Sequence, residues 1–429
     1  MFHMGWFLSY QLQSWRQMWS GRGMTEWVKP DLYVDMARSL ERAGFDYLMF
    51  EDGSFVPDMY GSSMEYYLKN AQLTPKHDPM ALVAHLAAST TNIGLIATMA
   101  TTFYPPYIGA RLMSTLDHLT NGRVGVNLVT THNVRTAQNF GLAEQIEHDE
   151  RYAMAGEWID VVSELWKSWD ADALVLDEVN GVYADHTKVH PIDFDGKYYR
   201  SRGPLNTIPS PQGRPVVCQA GGSAPGREFA AKNADLILAL AKTPEDMKEY
   251  RSDITARAIA NGRNPADVKV MFIAGFILGD TEKSAADKAR QQELAVDSNI
   301  EANLVAMSYV TGRDFSKYDL DAPLPEAKTN AAQASADMHL TGRGENPTLR
   351  EVASKPVAGL TFVGTPDSIA SQMGDAMEEA GGDGFLVQGP VHRRFIAEIA
   401  DGLAPALRKR GLIRDGYEFT HLRDNLLSF

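Results

Sequence analysis

GPLNTIPSPQGRPVVCQAGGSAPGREFAAKNAD, residues 203–235, followed at once by the apolar run Leu236–Ala239, holds a repeating unit of the fold. A turn-rich lead-in gives way to a short strand over Val216–Ala220, which reads as buried. A Gly-Gly-Ser bend follows, then a helix that opens at Ala224–Pro225 and continues through Arg227–Lys232, and then the next strand, Leu236–Ala239. A strand–glycine–helix junction of this kind aims free backbone N–H groups and the positive end of a helix dipole at one spot. Gly221 and Gly222 let the main chain approach an anion closely, and the Ser223 hydroxyl adds a donor. The junction therefore reads as a phosphate cradle. On local sequence alone it also fits an ordinary βα turn with a glycine bend and an N-cap serine.

The same alternation runs almost from end to end. Strands are predicted at Trp6–Tyr10, Tyr47–Glu51, Ile93–Met99, Val124–Val129, Val216–Ala220, Leu236–Ala239, Val270–Leu278 and Phe385–Val387. Between most of them lie amphipathic helical patterns, among them Leu32–Ala43, Pro79–Ser89, Ile108–Leu119, Tyr152–Trp169, Pro244–Asn261 and Asp367–Ala380. Alternating βα units with right-handed crossovers leave two common solutions, an open doubly wound sheet or a closed (β/α)8 barrel. Eight strands, and no GxGxxG after the first of them, favour an α/β TIM barrel. Polar residues cluster at strand ends (Asp52, Thr98, Thr130, Thr131, His132), which in a barrel is the rim that carries the site. Residues 1–429 are read as one barrel domain with two insertions at that rim, 171–202 and 281–356. The second combines helical periodicity with a polar, strand-free segment expected to act as a mobile lid.

Composition narrows the function classes. The chain has 429 residues, 44% of them hydrophobic, as a sizeable core requires. A formal net charge of −14 argues against nucleic acid or an anionic membrane as partner, since both require basic patches. The one cysteine, Cys218, rules out an intramolecular disulfide framework and a multi-thiolate metal site, and its strand setting marks it as a core residue. No basic–apolar leader opens the chain, and no apolar run approaches the ~18–20 residues of a membrane span. A cytoplasmic protein is expected. GxSxG, HExxH, SxxK and Walker patterns are absent, so hydrolase and NTPase chemistry find no support.

Three further blocks carry residue types suited to a site. DHLTNGRVGVNLVTTHNVRTAQNFG, Asp117–Gly141, turns through NGR into the strand VGVNLVTT, whose inward positions end in polar side chains; it carries Asn127 and Thr130, with His132 just beyond. His118 and Arg123 in the same block read as structural groups of the turn. In HDERYAMAGEWIDVVSELWKSWD, residues 148–170, His148 and Tyr152 stand four apart at a helix start and share one face of its first turn. They suit an anion across the barrel mouth, or equally a surface histidine over a half-buried tyrosine. Asp52 and Thr98 close two neighbouring strands, where they either bond a ligand edge or cap the following loops. His77 and Asp78 form a weaker pair, and the aromatic stretch WFLSYQLQSWRQMWSGRGMTEW either walls an apolar pocket or covers the barrel as core.

Together these blocks, with GTPDSIASQMGDAMEEAGGDGFLV at 364–387, resemble the bacterial-luciferase-like flavin-dependent monooxygenases, in the branch of nitrilotriacetate monooxygenase component A and dibenzothiophene-sulfone monooxygenase. The resemblance spans most of 30–235 and 357–409. Where that family commonly reads GRxGWNxVTS, this chain has Val126 for the tryptophan and Thr131 for the serine. What it implies is a two-component enzyme. A separate NAD(P)H:flavin reductase supplies reduced FMN, which with O2 forms a C4a-peroxyflavin that oxygenates a small organic substrate. FMN is preferred to FAD because nothing resembles an adenylate site. The implied flavin contacts are Asp52, Thr98, Asn127, Thr130, His148, Tyr152, Gly222 and Ser223, with the last three and His148 at the phosphate end. His132 is the candidate for managing the proton of the oxygenated flavin, or else a loop histidine that meets substrate or solvent. A homodimer or homotetramer is expected. Kept beside this reading are a deazaflavin-dependent dehydrogenase of the same fold, a non-catalytic flavin-binding protein, and a sugar-phosphate isomerase or aldolase barrel. The last should place a lysine or glutamate at a strand tip.

Overall fold

The structure, a computed structural model, describes residues 1–12, 26–297, 299–323, 347–354 and 359–429. Eight parallel strands close into a ring: His3–Ser9, Tyr47–Glu51, Gly94–Ala100, Val124–Val129, Val216–Gln219, Leu236–Ala239, Lys269–Leu278 and Gly384–Gln388, the last returning to the first. Closure is made by register, with His3 opposite Gly384, Gly5 opposite Tyr47, and Met271 again opposite Gly384. These are the eight strands that the sequence predicts, with ends shifted by up to three residues. The helix predicted from Tyr152 starts earlier, at His148, because the Glu147 carboxylate caps it by accepting from the Asp149 and Glu150 amides at 2.9 and 3.2 Å.

A ninth strand, Leu360–Gly364, was not predicted. The ten-residue strand Lys269–Leu278 outruns the barrel. Its first part pairs with Gly384–Val387, and from Ala274 onward it takes Leu360–Gly364 as a partner instead. That satisfies an edge that would otherwise be left open. Residues 174–201 form two small antiparallel hairpins, Leu174–Asp177 with Val182–Ala184 and Phe194–Asp195 with Arg200–Ser201. Helices Glu282–Asp297 and Ile300–Thr311 follow the seventh barrel strand. The rest of the polar segment expected to be a lid, residues 324–346, lies outside the described residues, as do 13–25 of the aromatic stretch.

The strand alternation divides the core in two. Tyr47, Met49, Ile96, Val216, Cys218, Leu238 and Met271 fill the barrel interior, closed below by Leu422 and Leu426 of a short C-terminal helix, Leu422–Leu426. Leu48, Phe50, Leu95, Ala97 and Val126 face the surrounding helices instead. Val126 therefore belongs to the outer core. Cys218 is fully buried and its thiol is held protonated by that burial. Gly5 is required by packing, since a Cβ there would stand 2.5 Å from the Tyr47 ring. Among the described residues, no helix is long and apolar enough to cross a membrane, and no cluster of side chains could hold a metal ion.

Candidate active site

The C-terminal ends of the barrel strands surround a cavity of about 1160 Å³. Pockets for a single small ligand typically measure ~300–1,000 Å³, so there is room for a cofactor and a second molecule. Five of the first six loops after strands contribute to its wall, together with the segment Gln388–His392 after the last strand. The insertion helices add Gln292, Ala295 and Tyr309.

One end gathers two hydroxyls, a histidine and the N-terminus of a helix. Ser223 caps the ten-residue helix Ala224–Asn233, its hydroxyl accepting from the Gly226 amide at 3.2 Å. The preceding bend is fixed from behind. The buried Tyr250 hydroxyl donates to the Gly221 carbonyl at 2.5 Å, and Arg227 Nε donates to the Gly222 carbonyl at 3.2 Å. Arg227 is itself held by Asp253 at 3.0 Å and lies over the Tyr250 ring. Across from the bend, helix His148–Trp166 presents His148 and Tyr152 on one face, with ring centroids 5.1 Å apart. His148 Nδ1 is engaged by Asp149 at 2.7 Å, which fixes the imidazole's orientation. A Cβ built on Gly226 would lie 2.8 Å from the Tyr152 hydroxyl and 3.1 Å from the Ser223 hydroxyl. Two hydroxyls from different elements thus converge on one helix N-terminus, and the lack of a side chain at Gly226 is what lets the Tyr152 hydroxyl come so close. Arg151, 1% exposed, also lines the cavity, with Nη1 donating to the Ile146 carbonyl at 2.6 Å. The sequence reading passed over it. The i, i+4 pair at His148 and Tyr152 drew attention to one face, and nothing local marks Arg151 as buried.

The other end is a polar rim. The Thr98 hydroxyl donates to the Phe50 carbonyl at 2.8 Å and accepts from Asn127 Nδ2 at 2.9 Å. Asn127 does not line the cavity itself but stands behind Thr98, its Oδ1 buried without a partner. Asp52 lines the cavity, and burial pushes its carboxyl up to about 6. Neighbouring Glu51 is fully engaged, accepting from Ser9 at 2.5 Å and from Lys76 at 2.6 and 2.9 Å. Thr130 lines the wall, its carbonyl accepting from the Thr102 hydroxyl at 3.1 Å.

His132 sits between the two ends. Burial, reinforced by the Arg151 charge, pushes its pKa down to about 4, so the ring is neutral at pH 7. Its Nε2 is buried without a hydrogen-bond partner, and the ring meets Tyr309 edge-on at 6.5 Å. The loop that carries it is strained, because Thr131 has φ +46°, a conformation costly for a β-branched residue. Gln145 clamps this bend, donating through Nε2 to the carbonyls of Thr131 and Asn133 at 2.9 and 3.2 Å.

Eight of the nine predicted site residues line this one cavity: Asp52, Thr98, Thr130, His132, His148, Tyr152, Gly222 and Ser223. Besides Arg151, the sequence reading missed Tyr309, Gln219 and His392. Gln219 is buried, with its Oε1 unpartnered against the cavity. His392 accepts the Phe395 amide at Nδ1, 3.1 Å, which leaves its proton on Nε2. The lesser candidates fall elsewhere. His77 stacks on Trp27 at 4.8 Å, and Asp78 caps helix Pro79–Ala87. Arg123 is buried among backbone carbonyls of Ala87, Thr90, Ile93 and Thr120, and His118 bonds the Ile208 carbonyl at 3.3 Å, both structural as expected.

A flavin mononucleotide fits these groups. Its phosphate end suits the stretch of cavity wall where Gly222, Ser223, His148 and Tyr152 meet, and the orphaned Gln219 Oε1 and His132 Nε2 offer polar partners along the ring system.

Comparison with known proteins agrees with the geometry. A family model described as luciferase-like monooxygenase matches residues 2–384. The chain is 38% identical over 404 residues to a dimethyl-sulfide monooxygenase of Hyphomicrobium sulfonivorans, covering 92% of this chain and 83% of that protein. It is 36% identical to a dibenzothiophene-sulfone monooxygenase of Rhodococcus erythropolis, covering 92% and 89%. Among solved structures, a riboflavin lyase with modified FMN and riboflavin superposes with a TM-score of 0.90 at 32% identity, covering 100% of this chain and 96% of that one. The closed barrel, the cavity at its C-terminal mouth and the match over nearly the whole length lead to one conclusion: this chain belongs to the luciferase-like monooxygenase family.

Proposed function

We propose that this protein is the oxygenating component of a two-component monooxygenase, which takes reduced FMN from an NAD(P)H:flavin reductase and uses O2 to oxygenate a small organic substrate. One observation carries the reading: the Ser223 and Tyr152 hydroxyls converge on a helix N-terminus at one end of a cavity with room for a second molecule. When bound, reduced FMN supplies the electrons and the site of O2 activation. The chain's residues do the rest. Ser223, Tyr152, His148 and the Gly222 bend hold the phosphate, helped by the helix dipole and the Arg151 charge. Asp52 and Thr98, with Asn127 behind it, bond the polar edge of the ring system. His132, neutral and unpartnered at Nε2, offers a hydrogen bond where oxygen reacts and does not act as a protonated acid. Phe7, Phe55, Tyr104 and Tyr309 surround the remaining space and exclude water. We read 1–429 as one barrel domain that carries insertions at 171–202 and 281–356, the second adding Gln292, Ala295 and Tyr309 to the cavity wall, and which works as a homo-oligomer.

Anaerobic titration with chemically reduced FMN, followed by admission of O2 in the presence of sulfides, sulfones, alkanes and aminocarboxylates, tests the assignment. Tight binding of reduced FMN with oxygenated product from one class is expected. Failure to bind reduced FMN, or binding with peroxide as the sole outcome for every class, would count against it.

A further inference from the structure

A second cavity, of about 270 Å³, opens at the opposite pole of the barrel, beneath the N-terminal ends of the fifth, sixth and seventh strands. Arg214, Arg263, Lys269 and Arg423 line it, against two carboxylates, Asp235 and Asp267. This excess of cations stands out on a chain whose formal net charge is −14.

Asp235 is already saturated. It receives Arg214 through two bonds of 2.8 Å, the Val217 amide at 2.9 Å, and Arg423 at 3.3 Å. Asp267 is exposed, and its described side-chain partner is Asn264. Lys269, 6% exposed, donates to the Phe429 oxygen at 2.7 Å. Among the residues that line the cavity, four cations thus face two carboxylates. Arg263 spends Nη1 on the carbonyls of Ala231 and Ala234 at 2.8 and 2.7 Å, while its Nε and Nη2 engage no described group. Desolvation is the main cause that depresses Arg263, Arg423 and Lys269; a carboxylate, Asp235 for the two arginines and Asp383 for the lysine, opposes it, and a neighbouring arginine adds to it in each case. Such a site gains when a further anion enters.

We infer that this second cavity is a binding site for a small phosphate dianion, free or as the head of a phosphomonoester, held by Arg263, Lys269 and Arg423. The fork of unpaired guanidinium donors at Arg263 suits adjacent phosphate oxygens. Leu426 and Leu427 give one apolar wall, beside which a short carbon chain fits. A bound anion would tie the helix Leu422–Leu426, which closes the barrel floor, to the strands above it.

The active-site cradle also attracts phosphate, so the test is run on protein saturated with FMN. Isothermal titration with inorganic phosphate at constant ionic strength should show one site, with glycerol phosphate comparable and chloride and succinate at least tenfold weaker. Arg263→Gln, which removes charge-assisted hydrogen bonds, should weaken phosphate about ten- to a hundredfold. Asp267→Asn removes a nearby negative charge and should tighten it several-fold, a gain that a merely damaged fold does not give. FMN affinity should be the same in both variants. No phosphate site on the FMN-saturated protein, succinate binding as well as phosphate, or an unchanged affinity in Asp267→Asn would overturn the proposal.

Discussion

At the scale of single residues, the candidate site rests on hydrogen bonds to charge. Ser223→Ala and Tyr152→Phe each delete one donor from the proposed phosphate position at the Gly222–Ser223 bend. A hydrogen bond to a charged group contributes roughly 1.5–3 kcal/mol, so each variant should bind reduced FMN about ten- to a hundredfold more weakly. Fluorescence or calorimetric titration under argon checks this, and unchanged affinity in both would remove the phosphate end from these residues. His132 differs in kind. The proposed phosphate contacts do not involve it, so His132→Ala should still bind reduced FMN. What it loses is the hydrogen bond from a buried, neutral ring, and more hydrogen peroxide should be released per product formed. His132→Gln, which can still donate, should recover part of the coupling. Full coupling in the alanine variant would make His132 a bystander.

At the scale of elements, the loop after the fourth strand holds His132 in place at a cost in backbone conformation. Thr131 sits at φ +46°, and Gln145 clamps the bend through two carbonyls. Strain of this sort costs ~1–3 kcal/mol at a non-glycine residue. Thr131→Gly should relieve it, and the greater freedom of glycine in the unfolded chain offsets roughly 0.5–1 kcal/mol of the gain. Urea denaturation should therefore show a variant more stable by about 1 kcal/mol, with poorer coupling because the bend is no longer fixed. A destabilised variant would mean that the threonine side chain makes contacts outweighing the strain. The strands and helices were legible because each has its own signal: apolar runs of strand length, 3.6-residue periodicity, and Asp, Thr or Ser caps. Strand Leu360–Gly364 had none strong enough. Its five residues, LTFVG, make sense only beside Lys269–Leu278, the strand that outruns the barrel and needs a partner there.

At the scale of the whole molecule, buried ionisable groups tie stability to pH. The folded His132 titrates near 4, below its ordinary value of 6.5, so in that interval the unfolded chain binds more protons. Its contribution is present above pH 6.5 and is lost as pH falls toward 4, by up to about 3 kcal/mol. Asp52 works in the opposite sense. Its folded value near 6 lies above the ordinary 3.8, so its contribution is present in acid and is lost as pH rises through 6. His132→Gln should therefore shift acid unfolding to lower pH, and Asp52→Asn should shift it to higher pH relative to neutral stability. Circular dichroism against pH checks both, and two identical acid transitions would mean that neither group is buried as described. By itself the sequence determined the eight-strand alternation, the glycine–serine bend at Gly221–Ser223, the polar strand ends and the family, because these depend on local periodicity, turn chemistry and wording that a linear chain carries. The tertiary structure alone decided that Arg151 is buried against the cavity, that Tyr309 and Gln292 reach it from an insertion, that His132 is neutral, and that four cations meet beneath the barrel floor. Those depend on which distant segments exclude water from one another, and burial, unlike periodicity, is a property of the closed molecule rather than of any stretch of it.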